Sequence, residues 1–330
     1  MAGSPIRLGI VGFGRLAREY YLPALRALGE VELVSVADPL AASRGVAAEL
    51  GGVRVHADHR TLLERERLDA VLVASPPSSH LAVLEDACAA GLAVLLEKPF
   101  VLSHQLGDVE ARPQPRVMID LNRRFWGPYR RIAELARGEL GRPIEADFAL
   151  HTNVLAWSTV TTHRLSADEG GVLHDLGSQA IDLACALGSS EPASIVAETA
   201  SRRWPDDHLR LRVTFPDGSV VRCDLAYEER TFERLAVRGP SGSASLSDPN
   251  MAIARETDGW LRARSRDVAT FAYRALRRDR SFARASIAAA IAAFAQAVRT
   301  GEGFSPGFDE ALQNARWVAA AASSARLAAA

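Results

Sequence analysis

Lysine is nearly missing from this chain. Of 39 basic residues, 38 are arginine and one is lysine, Lys98. Arginine keeps its proton in a protein, whereas lysine can release one when its surroundings lower its pKa. Lysine used once, among so many arginines, points to a position where a releasable proton is wanted; survival of a single lysine by chance is the competing account. Cysteine is also scarce. Cys88, Cys185 and Cys223 are odd in number and far apart, with no C-x-x-C pair and no paired His/Cys spacing. That excludes a disulfide framework and a structural zinc site, no metal is expected, and a reducing cytoplasm is the expected compartment. An excess of one charge is lacking too: the formal net charge is -1, so nothing favours nucleic acid or an anionic membrane as partner. No apolar run approaches the ~18 residues of a membrane span. The N-terminus enters a strand directly, without the basic region and cleavage site of a signal peptide. The alanine-rich end, 319–330, contains Arg326 and reads as the end of a helix.

What remains is an ordinary globular composition, 48 % apolar and 24 % charged, in 330 residues. That length suits two domains. The first third alternates strand and helix: strands over 6–11, 32–37, 69–74, 93–96 and 116–121, helices over 15–28, 41–50 and 79–90. Such alternation with short loops predicts an α/β, doubly wound parallel sheet. Longer alternating strands follow over 141–152, 194–200, 210–215, 219–227 and 234–238, with a hairpin turn at Pro216-Asp217-Gly218. Helices are expected over 129–136, 176–187, 282–299 and 308–327, the third with a core-facing stripe of Ile287, Ile291, Phe294 and Val298. The second half is therefore read as α+β with a largely antiparallel open sheet. The expected domains are 1–121 and 122–330, with 105–115 as the least structured connection.

Gly12-Phe13-Gly14-Arg15-Leu16-Ala17 matches G-x-G-x-x-G/A between a strand and a helix. Gly12 permits the tight turn, Gly14 lets the backbone approach a pyrophosphate, and Ala17 lets the helix pack closely. Asp38 ends the second strand, where a carboxylate would hold the adenosine ribose and repel a 2′-phosphate. It could equally be a turn residue before Pro39. Asp38 favours NAD, and Arg44, six residues on, keeps NADP open.

Four segments together resemble the Gfo/Idh/MocA family of sugar and inositol dehydrogenases: residues 12–17, Ala74-Ser75-Pro76-Pro77-Ser78-Ser79-His80, Glu97-Lys98-Pro99 and Gly170-Gly171-Val172-Leu173-His174-Asp175-Leu176-Gly177. The resemblance implies a Rossmann domain followed by a domain whose open sheet often joins subunits, hence a homodimer or homotetramer. It implies hydride exchange between nicotinamide and a carbinol of a sugar, cyclitol or derivative. It puts Ser75, Pro76 and His80 beside the nicotinamide, although His80 could instead bond its own loop. Glu97 and Lys98 stand at a strand's carboxyl edge and are expected among the cofactor-binding residues; the matching lysine bonds the substrate hydroxyl and moves its proton, with a simple Glu97–Lys98 pair in a turn as the alternative. Asp175 matches the family's aspartate. The family's histidine four residues later is Gln179 here, which can position a hydroxyl but cannot exchange a proton near neutral pH. On a regular helix 175 and 179 share a face, while His174 diverges by about 100° unless the helix start is distorted. Asp182 falls near the same face. Arg123 and Arg124 match an arginine-containing segment that lines the substrate pocket, with a solvated basic loop as the alternative. The glycine run departs as well, with Glu169 where a third glycine is common.

Two other readings stand beside the dehydrogenase. The missing histidine suits a non-catalytic protein that senses NAD(P) or a sugar, since a Rossmann fold alone does not prove catalysis. A tightly held cofactor serving two sugars in turn is the other.

Overall fold

Ile6–Val11 is buried at every position but one, as a strand covered on both faces must be. In the computed structural model, which describes residues 4–110, 114–156, 165, 169, 171–247, 252–255 and 282–327, this strand is β1. It lies inside a six-stranded parallel sheet with β2 (Val31–Ala37), β3 (Arg54–His56), β4 (Ala70–Val73), β5 (Ala93–Glu97) and β6 (Val117–Asp120). The order is β3-β2-β1-β4-β5-β6, which reverses direction between β1 and β4, where ligands bind in such sheets. The crossovers carry α1 (Leu22–Ala27), α2 (Ala41–Ala48), α3 (His59–Arg65), α4 (His80–Ala89) and α5 (Leu106–Glu110).

Three of these elements lie where the sequence suggested none. β3 has only three residues, too few for a period-2 signal, and α3 buries only Leu62 although Asp58 caps it by accepting the Thr61 N–H at 2.8 Å. α5 occupies part of the connection read as unstructured. The first helix also differs. Residues 17–21 form a π-turn, closed by the Leu22 N–H on the Ala17 carbonyl, before α1 begins. Pro23 contributes to this, because it has no N–H for the carbonyl four residues back; the Glu19 carbonyl is taken instead by Arg284 Nε at 3.1 Å.

The chain divides into two compact units, 1–122 with 283–315, and 123–282 with 316–330. A single cut after residue 121 would place 283–315 in the second part, but these residues return to the first. They include most of α8 (Phe282–Thr300) and the first half of α9 (Phe308–Ser324). The reason lies in packing. Ala311, Leu312 and Ala315 join the first unit's apolar core, Phe308 meets Phe100 edge-on at 5.9 Å, and the Ile119 N–H on the outermost strand β6 donates to the Pro306 carbonyl at 3.0 Å. Ile287, Ile291 and Phe294 are buried as their stripe predicts.

The second unit holds an eight-stranded sheet built from β7 (Glu145–Thr152), β8 (Ser194–Ala200), β9 (His208–Thr214), β10 (Val220–Tyr227), β11 (Phe232–Gly239), β12 (Gly242–Ser247), β13 (Ala252–Arg255) and β14 (Arg326–Leu327). Its order is β13-β12-β11-β7-β10-β9-β8-β14, antiparallel except at β7–β10 and β8–β14. Strand β14 begins where the last helix was expected to continue: α9 stops at Ser324, whose hydroxyl accepts the Ala197 N–H at 3.1 Å. Helices α6 (Gly127–Arg137) and α7 (Ser178–Leu187) cover one face of the sheet with an apolar core containing Ile132, Phe148, Ile181 and Leu225. The other face carries the alternate, charged residues. Gly170, the 274–280 arginines and the tail beyond 327 lie outside the described residues. No helix among the described residues is long and apolar enough to cross a membrane.

Candidate active site

The dinucleotide loop is shaped by two glycines with different duties. Gly12 has φ +87, and a Cβ there would stand 2.6 Å from the Ser75 nitrogen, so the loops after β1 and β4 touch through bare backbone. Around Gly14 no atom lies within 4 Å of a would-be Cβ. The backbone there faces open space, which is the room a pyrophosphate needs, and the first helical bond runs from the Arg18 N–H to the Gly14 carbonyl at 3.1 Å. The residues present therefore fit a dinucleotide. Phe13 contributes through the core, fully buried, and its N–H donates to Asp38 Oδ2 at 2.7 Å. Asp38 also accepts the Leu40 N–H at 2.8 Å. This one carboxylate shapes the turn into Leu40 and pins the glycine loop to the end of β2. Arg44 donates to the Asp38 and Pro39 carbonyls at 2.9 and 2.7 Å. Arg15 pairs with Glu19 at 2.8 Å, and Leu16 is half-buried beside it.

Farther along the same sheet edge, Ser75 Oγ meets Ser79 Oγ at 2.7 Å while Pro76 is exposed. His80 is fully buried. Its Nδ1 lies 2.9 Å from the Pro99 carbonyl and its Nε2 3.0 Å from the Ser75 carbonyl. The ring ties the Ser75 loop to the Pro99 loop. Lys98 is half-buried at the carboxyl end of β5, ahead of a cis peptide to Pro99. Glu97 is buried and accepts the Lys98 backbone N–H through Oε2 at 3.2 Å. Its Oε1 lies 2.6 Å from the Tyr21 hydroxyl, which also bonds Asp120. Neither Tyr21 nor Asp120 was a sequence candidate. They lie 76 and 99 positions apart from their partners, and no local pattern joins them.

In the second unit, Gly171 has φ +56 and passes so close to Asp206 that a Cβ would meet it at 2.9 Å. Asp207, buried, accepts the N–H groups of Arg202, Arg203 and Trp204 and fixes that neighbouring loop. Residues 173–177 then form a second π-turn, closed by the Ser178 N–H on the Leu173 carbonyl. π-turns occur often at functional sites. This one carries Asp175 at its third position and runs directly into α7, which begins at Ser178 and carries Gln179. Asp175 is half-buried and its Oδ2 accepts the Tyr227 hydroxyl at 2.9 Å. Tyr227, at the end of β10, escaped the sequence reading because the strand register, not the sequence, brings it there. His174 is buried, and its carbonyl accepts the Ser178 hydroxyl at 2.8 Å. Gln179 is 8 % exposed, and its Oε1 has no hydrogen-bond partner. An orphaned buried amide oxygen is unfavourable without a ligand donor.

The two arginines each hold a carboxylate, which a solvated basic loop would not do. Arg123 grips Glu233 at 2.8 and 3.2 Å, beside the Tyr129 hydroxyl, which bonds the same carboxylate. Arg124 holds Asp182 through contacts of 2.6 to 3.0 Å. Both charges are matched within the unit. The three thiols are free; burial pushes those of Cys185 and Cys223 up to about 12. No metal-binding group of His, Cys, Asp and Glu exists among the described residues.

These features define an oxidoreductase with a nicotinamide-dinucleotide domain and a second, open-sheet domain. Residues 6–111 match the family described as "Oxidoreductase family, NAD-binding Rossmann fold", and residues 129–245 the "GFO/IDH/MocA C-terminal domain". The chain belongs to the Gfo/Idh/MocA family, and it is an NAD(P)-dependent oxidoreductase acting on CH–OH groups. It is 29 % identical over 268 residues to inositol 2-dehydrogenase 4 of Saccharopolyspora erythraea, covering 73 % of this chain and 76 % of that one. Its fold is similar to an oxidoreductase of Agrobacterium radiobacter solved with NAD+, L-tartaric acid and magnesium (TM-score 0.76, 17 % identity, 97 % and 96 % of the chains). It is equally similar to KijD10, a 3-ketoreductase of Actinomadura kijaniata solved with NADP and TDP-benzene (TM-score 0.77, 23 % identity, 98 % of each chain).

Proposed function

We propose that the substrate is a sugar, a cyclitol or a derivative of one, oxidised or reduced at a secondary carbinol, with NAD(H) preferred. The observation that carries this reading is Lys98: the chain's one lysine stands at the carboxyl end of β5, on the sheet edge that also bears the glycine loop. When bound, the nicotinamide accepts or donates the hydride at the carbinol carbon. The protein must then handle the hydroxyl proton. In oxidation the O–H bond breaks as the carbonyl forms, and the proton passes to the Lys98 amine; reduction returns it. Within the second unit, taken by itself, Asp175, whose carboxylate accepts the Tyr227 hydroxyl, and Gln179, with its unpartnered buried amide oxygen, are the groups suited to bind hydroxyls. Arg123 and Arg124 serve as framework residues held by Glu233 and Asp182. Asp38 faces the adenosine ribose and disfavours a 2′-phosphate.

The non-catalytic reading, prompted by Gln179, gains no support, because the relatives are named as dehydrogenases and a reductase. Assembly into a dimer or tetramer through the charged face of the eight-stranded sheet belongs to the same proposal. The test begins with calorimetry of NAD, NADH, NADP and NADPH on protein freed of nucleotide. NADH formation is then followed by absorbance across a panel of inositols, aldoses and nucleotide sugars. Turnover of one of these with NAD supports the reading; binding of all four nucleotides without turnover on any carbinol overturns it.

A further inference from the structure

Glu97 and Asp120 are register partners on β5 and β6, so their side chains leave the same face of the sheet. Tyr21 enters between them from the π-turn after β1. Its hydroxyl is 2.6 Å from Glu97 Oε1 and in still closer contact with Asp120 Oδ2. All three are buried: Tyr21 fully, Glu97 to 6 % and Asp120 to 1 % exposure. Counting protons is decisive here. Three oxygens make two hydrogen bonds, and the tyrosine brings only one hydrogen. A carboxyl must supply the second. Asp120 is the one placed to do so, since it is the more deeply buried carboxyl and its Oδ1 has no partner, whereas Glu97 Oε2 accepts an N–H as an anion would.

We propose that Asp120 is a positioning residue for Lys98: it keeps its proton at neutral pH, donates it to Tyr21, which donates in turn to Glu97, and so leaves one negative charge instead of two beside the lysine. The titratable groups acting on Asp120 agree. Burial pushes its carboxyl up and the Glu97 charge adds to this, while the Tyr21 hydroxyl and the Lys98 ammonium pull it back, leaving it at about 8. Tyr21 is pushed well above its usual value, by burial first and then by the two carboxyls, and holds its own proton throughout. The consequence for catalysis rests on the reading of Lys98 as proton acceptor. With Asp120 neutral, the amine is easier to keep unprotonated and ready; once Asp120 ionises, a second negative charge favours the ammonium.

Two measurements test this without any substrate, so that failure to find a substrate leaves them intact. The first is infrared spectroscopy of the full chain. A carboxylic-acid C=O band should be present at pH 7, titrate away near 8, vanish in Asp120→Asn and move without vanishing in Tyr21→Phe. The second exploits the single lysine. Reductive methylation with 13C-formaldehyde gives one lysine resonance, separate from the α-amino group, whose titration midpoint should fall by about 1 unit in Asp120→Asn. An infrared band or a lysine midpoint unmoved by Asp120→Asn overturns the proposal. So does failure of Asp120→Asn to fold, because the amide matches a neutral acid in shape and can still donate to Tyr21.

Discussion

Lys98 and Asp120 are both defined by a proton, but in opposite ways. In the proposed reaction Lys98 has to be able to lose one. Lys98→Ala should lower turnover about 10²–10⁴-fold, the usual worth of a placed general acid or base, and leave nucleotide affinity unchanged by calorimetry. Lys98→Arg should not restore turnover, because the guanidinium keeps its proton; an active arginine variant would refute the assigned role. Asp120 must keep its proton, and this has a sign in stability. Its folded value, about 8, lies above the ordinary one, so the native state holds an extra proton between the two. The stability it contributes is complete at low pH and is lost as pH rises toward and through 8. Asp120→Asn should flatten that decline and be the more stable protein at alkaline pH, by on the order of a few kcal/mol, as denaturant titrations at several pH values would reveal. An unaltered pH slope would count against a buried neutral acid.

Elements decide how much of this was visible beforehand. The glycine loop and Glu97-Lys98-Pro99 are contiguous, and their chemistry follows from residue type in a strand-to-helix context. The two π-turns are not readable in this way. Each inserts one residue into a helix whose periodicity still looks ordinary; the first carries the buried Tyr21 and the second carries Asp175. Pairs such as Arg124–Asp182 and Tyr227–Asp175 lie 58 and 52 positions apart and arise from packing and strand register. His80 was ambiguous for a related reason: a buried histidine and a ligand-facing one have the same sequence signature. At this scale Gly12 offers the sharpest test. Its positive φ and its contact with the loop after β4 cannot both survive a methyl group. Gly12→Ala should weaken NAD binding by about tenfold or more, or ~1.4 kcal/mol and up, while circular dichroism shows the helices and sheets retained. Unchanged affinity would mean that this loop does not shape the dinucleotide site.

For the molecule as a whole, the chemistry of the second unit's outer sheet face is the feature to weigh. Alternation puts Arg210, Arg212, Arg222 and Arg234 on it together with Asp147, Asp224 and Glu198, around a depression of about 560 Å³. Some of these charges pair in place, as Arg222 does with Asp147 at 3.8 Å. Exposed pairs of this kind add little to a lone subunit's stability. Interleaved signs suit a two-fold contact, in which each patch meets its own copy and every arginine can find a carboxylate across the axis. Val196 and Phe232, apolar and 45 % and 40 % exposed, add surface that water would readily leave. Sedimentation velocity at physiological salt should therefore give a dimer or tetramer. Arg212→Glu combined with Arg234→Glu places like charges on both sides of the contact and should release single subunits. The first unit has its own core and its own glycine loop, so those subunits should still bind NAD with undiminished affinity. A native protein that sediments as one subunit at micromolar concentration would show that this face is not an interface between copies.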